Sequence, residues 1–376
     1  MQRHDHPLIS NSLGSQRSLC SFHYGSPGAE PKIYIQASLH AEELPGMLVA
    51  FHLRGLLDQA EAQGRLRGEI VLVPVANPIG LAQRLDHKPM GRFELDSSEN
   101  FNRHYPDLAL AVADGVKPRL TQDAAANVRT VRQAIGRYLD QWQPATELQS
   151  LRRTLLTLAH DADYVIDLHC DCEGVMHFYT EEPCWPGLEP LAHLLQCRAI
   201  LLARNSGSGP FDECLSGVWW QLAERLAAEG LSLPLPQACN STTVELRGEA
   251  DVSHAWAQAD ALAIFDFLAL KGAIQSDSPV RIPAPCAPAT PLAGSETLQT
   301  PVPGVVVFAV QPGDLLQPGE LVAEVINPME NTRHAVRAGV AGVFYARVRD
   351  RYAVSGGEIG KIAGATPFRS GDLLGA

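Results

Sequence analysis

The run Ala37-Ser-Leu-His40-Ala-Glu-Glu43-Leu-Pro-Gly46 places an imidazole and a carboxylate three residues apart, where an apolar strand gives way to a helix. A third candidate lies far downstream, His169 in Tyr164-Val-Ile-Asp-Leu-His169, again at the end of an apolar strand. Two nitrogens and one carboxylate hold a divalent cation with a fourth position left for water, the layout of a catalytic zinc site. Taken alone, His40 or His169 is more often a partly buried histidine with a satisfied hydrogen bond, and Glu43 a first-turn acid drawn by the helix dipole. Their joint placement at strand ends turns the reading toward a single zinc ion per chain, and toward hydrolysis.

The elements that must position these side chains are legible in the hydrophobic pattern. Lys32 to Ser38 alternates Ile33, Ile35 and Ala37 inward, and Glu69 to Val75 is a near-continuous apolar run of the kind buried on both faces. Between them Val49, Leu53, Leu56 and Leu57 share one face of a helix that opens near Pro45 and stops by Gly64. Strand, helix, strand reads as a right-handed crossover unit. Further strands are expected at Ala162 to Leu168, Arg198 to Ala203 and Thr242 to Leu246, with a helix from His254 to Leu270. The fold class is therefore α/β, a mixed and largely parallel central sheet flanked by helices. Residues 1–277 form the expected catalytic domain, with a helical insertion at about 107–160 that is placed to wall the site.

From 278 to 291 the density of proline denies both helix and central strand and indicates a linker or an edge-tracing arm. Residues 292–376 carry short apolar runs punctuated by Pro-Gly turns and read as a compact β module. That module resembles the barrel-sandwich fold of lipoyl and biotinyl carrier domains, but residues 301–350 hold no lysine for attachment. A structural or oligomerisation role is the expectation.

Four segments carry the chemistry. They are His40 with Glu43; Asn77 through Arg84, Gly91-Arg92 and Asn102-Arg103; Asp167-Leu-His169; and Thr242-Thr-Val-Glu245. In this order they resemble the succinylglutamate desuccinylase and aspartoacylase family of carboxypeptidase A-like zinc hydrolases, over roughly residues 30 to 270. The resemblance implies zinc on His40, Glu43 and His169, a substrate carboxylate held by Asn102 and Arg103, and Glu245 as general base and acid. Physical chemistry supports the same roles. A carboxylate beside an acidified water takes its proton and returns it to the departing nitrogen, and a fixed guanidinium stabilises the oxyanion. Arg92 or Arg84 can supply that guanidinium. Arg92 is preferred because Gly91 lets the backbone turn sharply before it, which leaves Arg84 to bind substrate or to stand in solvent. The planar fork of Arg103 matches a carboxylate better than a lysine would. Asp167 projects to the same side of its strand as His169 and can accept from it, or cap a neighbouring helix.

The composition excludes other classes. With a formal net charge of -12 over 376 residues and no cluster of Lys and Arg, neither nucleic acid nor an anionic membrane is expected as partner. No run approaches the roughly 20 apolar residues of a membrane span, and no apolar leader follows Met1, so a cytoplasmic location is expected. The eight cysteines lack regular spacing and are expected mostly free and buried, Cys170 and Cys172 packing beneath the site or acting as thiolates. The expected activity is zinc-dependent deacylation of an N-acyl amino acid or a related carboxylate-bearing amine derivative, the chain acting alone or as a homo-oligomer. A metallocarboxypeptidase acting on short peptides, or a binding scaffold that keeps the fold without the chemistry, are the alternatives. The long gap from Asn77 to Asn102, the Cys170-Asp-Cys172 segment and the helical insertion depart from the family pattern and point away from acetylaspartate or succinylglutamate as substrate.

Overall fold

The computed structural model describes residues 1–276 and 278–375. Residues 277 and 376, at which the expected catalytic and β regions end, lie outside them. Nine strands make one mixed sheet: β1 Gln2–Pro7, β2 Ser18–Tyr24, β3 Lys32–Ala37, β4 Glu69–Val73, β5 Tyr164–Asp171, β6 Met176–Glu181, β7 Ala199–Ala203, β8 Asn240–Gly248 and β9 Ala289–Pro291. Their order is β1-β2-β4-β3-β5-β8-β6-β7-β9. The centre, β4-β3-β5-β8, is parallel, β8 meets β6 antiparallel, and the β1-β2 hairpin adds antiparallel strands at one edge.

The sheet is covered on both faces, which is why its strands read as apolar runs. On one face lie α1 Pro45–Ala62, the later helix Trp185–Leu194 and the helix His254–Leu270, packed through Leu53, Leu188 and Phe267 onto Ile35, Leu72 and Ile166. On the other lie the three helices of the insertion, Leu108–Val116, Ala124–Gln141 and Glu147–Ala159, with Phe211–Ala228 beside them, packed through Val112, Val131, Leu155 and Trp219 onto Tyr34, Val71 and Val165. Strand β3 ends one residue before the expected Ser38, because Ser38 adopts a left-handed φ of 65° that turns the chain out of the ladder. The hairpin β1-β2 and strand β6 had no clear alternation in the sequence and are additions to the expected list.

The proline-rich segment behaves as an edge-tracing arm. Its last three residues, Ala289–Pro291, pair in parallel with β7 at the sheet's rim, where a proline without an N–H is tolerated. Beyond it a five-stranded antiparallel sheet, one strand of which is Glu173–Gly174, and a four-stranded one enclose Leu298, Val306, Val322, Phe344 and Ile362. This all-β region is joined to the rest by strand pairing: Gly174 faces Ala346 and Glu173 faces Arg347. The Glu173 carboxylate accepts from Arg347 Nε at 2.6 Å and from Arg351 Nη2 at 2.5 and 2.7 Å. Removing that shared acceptor in Glu173→Ala is expected to lower stability by about 1–2 kcal/mol, the scale of a partly exposed charge-assisted contact. A fall in the urea midpoint with unchanged slope is the expected observation, and an unmoved midpoint would show that the clamp contributes nothing.

Candidate metal centre and active-site cleft

The three side chains meet because β3 and β5 run parallel and end at the same edge, where ligands of open α/β sheets bind. After Ser38 the chain makes a tight turn in which Glu43 N donates to His40 O at 3.0 Å. Glu43 thus precedes α1 rather than standing in its first turn. The turn is braced from two sides. Asn77 Nδ2 donates to Leu39 O at 2.8 Å, while Gly91 accepts from Ala41 N at 3.0 Å and donates its own N–H to Glu42 Oε2 at 2.6 Å. The glycine at 91 is explained by closeness and not by a sharp turn: a Cβ there would lie 2.5 Å from Glu42 N and 2.8 Å from the Ala41 carbonyl carbon.

His40, Glu43 and His169 are 4, 3 and 2% exposed and offer one ligand atom each within 4.8 Å of one another. His40 Nδ1 lies 2.9 Å from Glu43 Oε1, and His169 Nδ1 lies 2.8 Å from Glu43 Oε2. The outer ring nitrogens are turned away to other partners. His40 Nε2 is 2.9 Å from Asn100 Oδ1, and His169 Nε2 is 3.0 Å from Asp167 Oδ2, though out of line for a hydrogen bond. Inward nitrogens facing a carboxylate, with outer nitrogens against oxygen acceptors, match the way imidazoles are oriented around a cation. The donor set of two nitrogens and one carboxylate fits a divalent metal. Cys170 serves by its backbone, its N–H reaching Glu43 Oε2 at 3.1 Å, while burial pushes its thiol far up. Burial likewise raises the Cys172 thiol to about 11, so neither sulfur is a ready thiolate.

Glu245 stands beside His169 in the parallel β8-β5 pair, just before the strand bulges and Arg247 turns left-handed at a φ of 66°. Its Oε2 is buried without a hydrogen-bond partner. Arg92 reaches the cluster, its Nη1 3.4 Å from His40 Nδ1 and 3.5 Å from Glu43 Oε1. Arg84 sits exposed on a two-residue strand and is not among the residues lining the cleft. Asn102 Oδ1 accepts from Phe211 N at 2.9 Å, satisfying an otherwise unpaired donor at a helix start, so only its amide nitrogen is uncommitted to that bond. Arg103 donates to Asn102 O at 2.8 Å and to Gly375 O at 2.6 Å, and its Nε is buried without a partner.

These groups open into one cleft, and its far wall is a correction to the sequence reading. None of residues 107–160 lines it. The all-β region supplies that wall instead, with Leu292, Ser295, Tyr345, Lys361 and the segment Leu373–Gly375. Lys361, whose Nζ is 3.0 Å from Asp171 Oδ2, is the single lysine of residues 292–376 and points into the cleft instead of riding a hairpin tip. Asp212, Glu213 and Tyr179 line the cleft as well. Asn100 and Lys361 are the residues that sequence reasoning missed. A lone asparagine in a loop and a lone lysine in a β module carry no pattern.

The electrostatics of the cluster pull its members in opposite directions. Burial, and then Arg92, push His40 down to about 4, so its ring is neutral at physiological pH. Burial opposes ionisation of Glu43, but His40 and His169 together hold it well below the usual carboxylate range. For His169 burial works downward, yet Asp167 and Glu43 keep it well above the ordinary value. Glu245 moves the other way, since burial and the Glu43 charge push it up to about 8.

Comparison with known proteins follows the same lines. The family model described as the succinylglutamate desuccinylase/aspartoacylase catalytic domain matches residues 29–231. A succinylglutamate desuccinylase/aspartoacylase family protein from Shewanella amazonensis SB2B superposes with a TM-score of 0.82 at 25% identity, over 96% of this chain and 98% of that one. A similar protein from Shewanella frigidimarina NCIMB 400 gives 0.81 at 23% identity over 96 and 97%. The ectoine utilization protein EutE (DoeB) from Ruegeria pomeroyi, solved with product bound, gives 0.64 at 16% over 96 and 94%, a likeness of fold. No curated protein sequence matches the chain.

The glycine at 91 yields a test of the brace. Gly91→Ala must push the backbone of Ala41 and Glu42 aside, at a cost of about 1–3 kcal/mol, and is expected to weaken metal retention because His40 lies next along the displaced turn. Melting temperature and bound metal measured on the purified variant check this, and both unchanged would remove Gly91 from the brace.

Proposed function

Since the chain belongs to the succinylglutamate desuccinylase/aspartoacylase family, we propose that it is a zinc-dependent amide hydrolase that deacylates a small, carboxylate-bearing N-acyl amine such as an N-acyl amino acid. The observation that carries this reading is the convergence of buried His40, Glu43 and His169 beside the partnerless Oε2 of Glu245. His40, Glu43 and His169 would hold one zinc ion. When bound, that ion supplies Lewis acidity and an acidified water.

The protein's own groups do the rest. Glu245 takes a proton from the attacking water and delivers it to the leaving nitrogen; its raised pKa keeps it near the balance a proton shuttle needs, with positive charge at the neighbouring cluster drawing it toward the ionised form. Arg92, already turned to the His40 and Glu43 pair, is placed to stabilise the oxyanion. Arg103 and the amide nitrogen of Asn102 hold the substrate carboxylate, which exchanges with the Gly375 carbonyl now on the Arg103 fork. Arg84, exposed and outside the cleft, is left no part in this scheme. A cleft walled by the all-β region favours a small substrate over an extended peptide.

Turnover of a panel of N-acyl amino acids set against dipeptides tests the assignment, and cleavage of dipeptides alone would establish the carboxypeptidase reading instead. Protein purified without added zinc is expected to carry about one equivalent of metal. A chain with none and no amide hydrolysis would be the scaffold. Glu245→Gln is expected to keep the metal and lose about 10²–10⁴-fold in turnover, whereas His40→Ala loses both; undiminished hydrolysis by the first variant would strike Glu245 from its role.

A further inference from the structure

The helices inserted at residues 107–160 contribute nothing to the cleft's lining, yet one of their side chains reaches the loop residue Asn100, which meets His40. Arg152, on the helix Glu147–Ala159, is 5% exposed. Its Nη1 donates to Glu99 Oε2 at 2.7 Å and its Nη2 to the backbone oxygen of Asn100 at 3.1 Å, with the guanidinium 5.7 Å from the Tyr105 ring. Glu99, the partner carboxylate, is itself 42% exposed at its side chain, and Arg152 Nε is buried with no partner. A guanidinium buried with incomplete pairing costs stability, and an apolar residue packed among Leu151 and Leu155 would cost less.

The contact it makes bears on orientation. Asn100 is 3% exposed and links three parts of the site. Its backbone oxygen is taken by Arg152 and also receives Arg103 N at 3.3 Å, and its Oδ1 receives the Asn102 N–H at 2.8 Å. Because a backbone N–H can only donate, the amide of Asn100 is fixed with oxygen toward Asn102. That same oxygen lies 2.9 Å from His40 Nε2, which must therefore carry the proton. His40 is left with its lone pair on Nδ1, the nitrogen that faces Glu43. The tautomer of the first metal ligand thus follows from the placement of Asn100, and Arg152 holds that placement.

The geometry points to Arg152 as a positioning residue of the metal centre: by gripping the Asn100 backbone it keeps His40 in the tautomer and direction that present Nδ1 to the cation. The inference rests on the metal-centre reading above. It gives the inserted helices a function, since through this one side chain they set how tightly metal is held. Only a planar fork reaches Glu99 and the Asn100 oxygen together, which distinguishes arginine from lysine here.

The test is zinc affinity, measured on the purified full chain by competition with a chromophoric chelator, together with the visible absorption of the cobalt(II)-loaded protein. Removing a group that orients a ligand typically costs about 10–100-fold in metal affinity. Asn100→Ala is expected in that range and Arg152→Ala at about tenfold, both with an altered cobalt spectrum. The double variant is expected to bind no more weakly than Asn100→Ala alone, because both act through one path. Arg152→Lys keeps the charge and loses the fork; it carries the same expectation at smaller size, and it serves should the alanine variant fail to fold. Unchanged affinity and spectrum in the Arg152 variants, or losses that add in the double variant, would overturn the inference while leaving the metal centre standing. A wild-type chain that takes up neither zinc nor cobalt would overturn the metal-centre reading and this inference with it.

Discussion

A carboxylate held dry between two imidazoles is the constraint around which the site is organised. Glu43 is 3% exposed, so its charge must be met from within, and His40, His169 and the Cys170 N–H do so. Each of those partners is fixed by something else: His40 by Asn100, His169 by its strand and Asp167, Cys170 by the same ladder that carries His169. Parallel pairing of β3, β5 and β8 is what lets chain positions separated by more than a hundred residues meet at this point, since all three strands finish at one edge.

Around this centre the protein divides the work between faces. The helices over Leu53, Leu188 and Phe267 bury the sheet, and the opposite layer does the same except where Phe211–Ala228 brings Asp212 and Glu213 to the cleft and where Arg152 leans on the Asn100 loop. The all-β region closes the cleft. Its attachment through Glu173, Gly174 and the Lys361–Asp171 pair brings Tyr345 and Lys361 close to Glu245, so the region belongs to the site's surroundings and is not a remote appendage.

Much of this was legible in the sequence, for reasons that differ by element. The strands at 32, 69, 164, 199 and 240 and the helices at 45 and 254 showed because doubly covered strands and amphipathic helices imprint their burial on residue type. The edge hairpin Gln2–Pro7 with Ser18–Tyr24, half of it exposed, left no such imprint. At the site, His40, Glu43 and His169 could be picked out because strand ends are predictable places. Arg92 could be separated from Arg84 only by coordinates, since both sit in an irregular stretch whose path no periodicity fixes. The wall of the cleft was misplaced for a related reason. Residues 107–160 read clearly as helices, but where on the sheet they pack is a matter of chain crossing, and they pack without lining the cleft.

The single lysine of the last 85 or so residues illustrates a wider consequence. The β module, whose sequence resembles that of swinging-arm carriers, turns its one amine inward to Asp171 and the cleft. The lining of the cleft is thereby drawn from two separate stretches of polypeptide, one carrying His40, Arg103, His169 and Glu245 and the other Tyr345 and Lys361. Changes confined to the module's inner rim would therefore reshape the cleft while leaving His40, Glu43 and His169 in place.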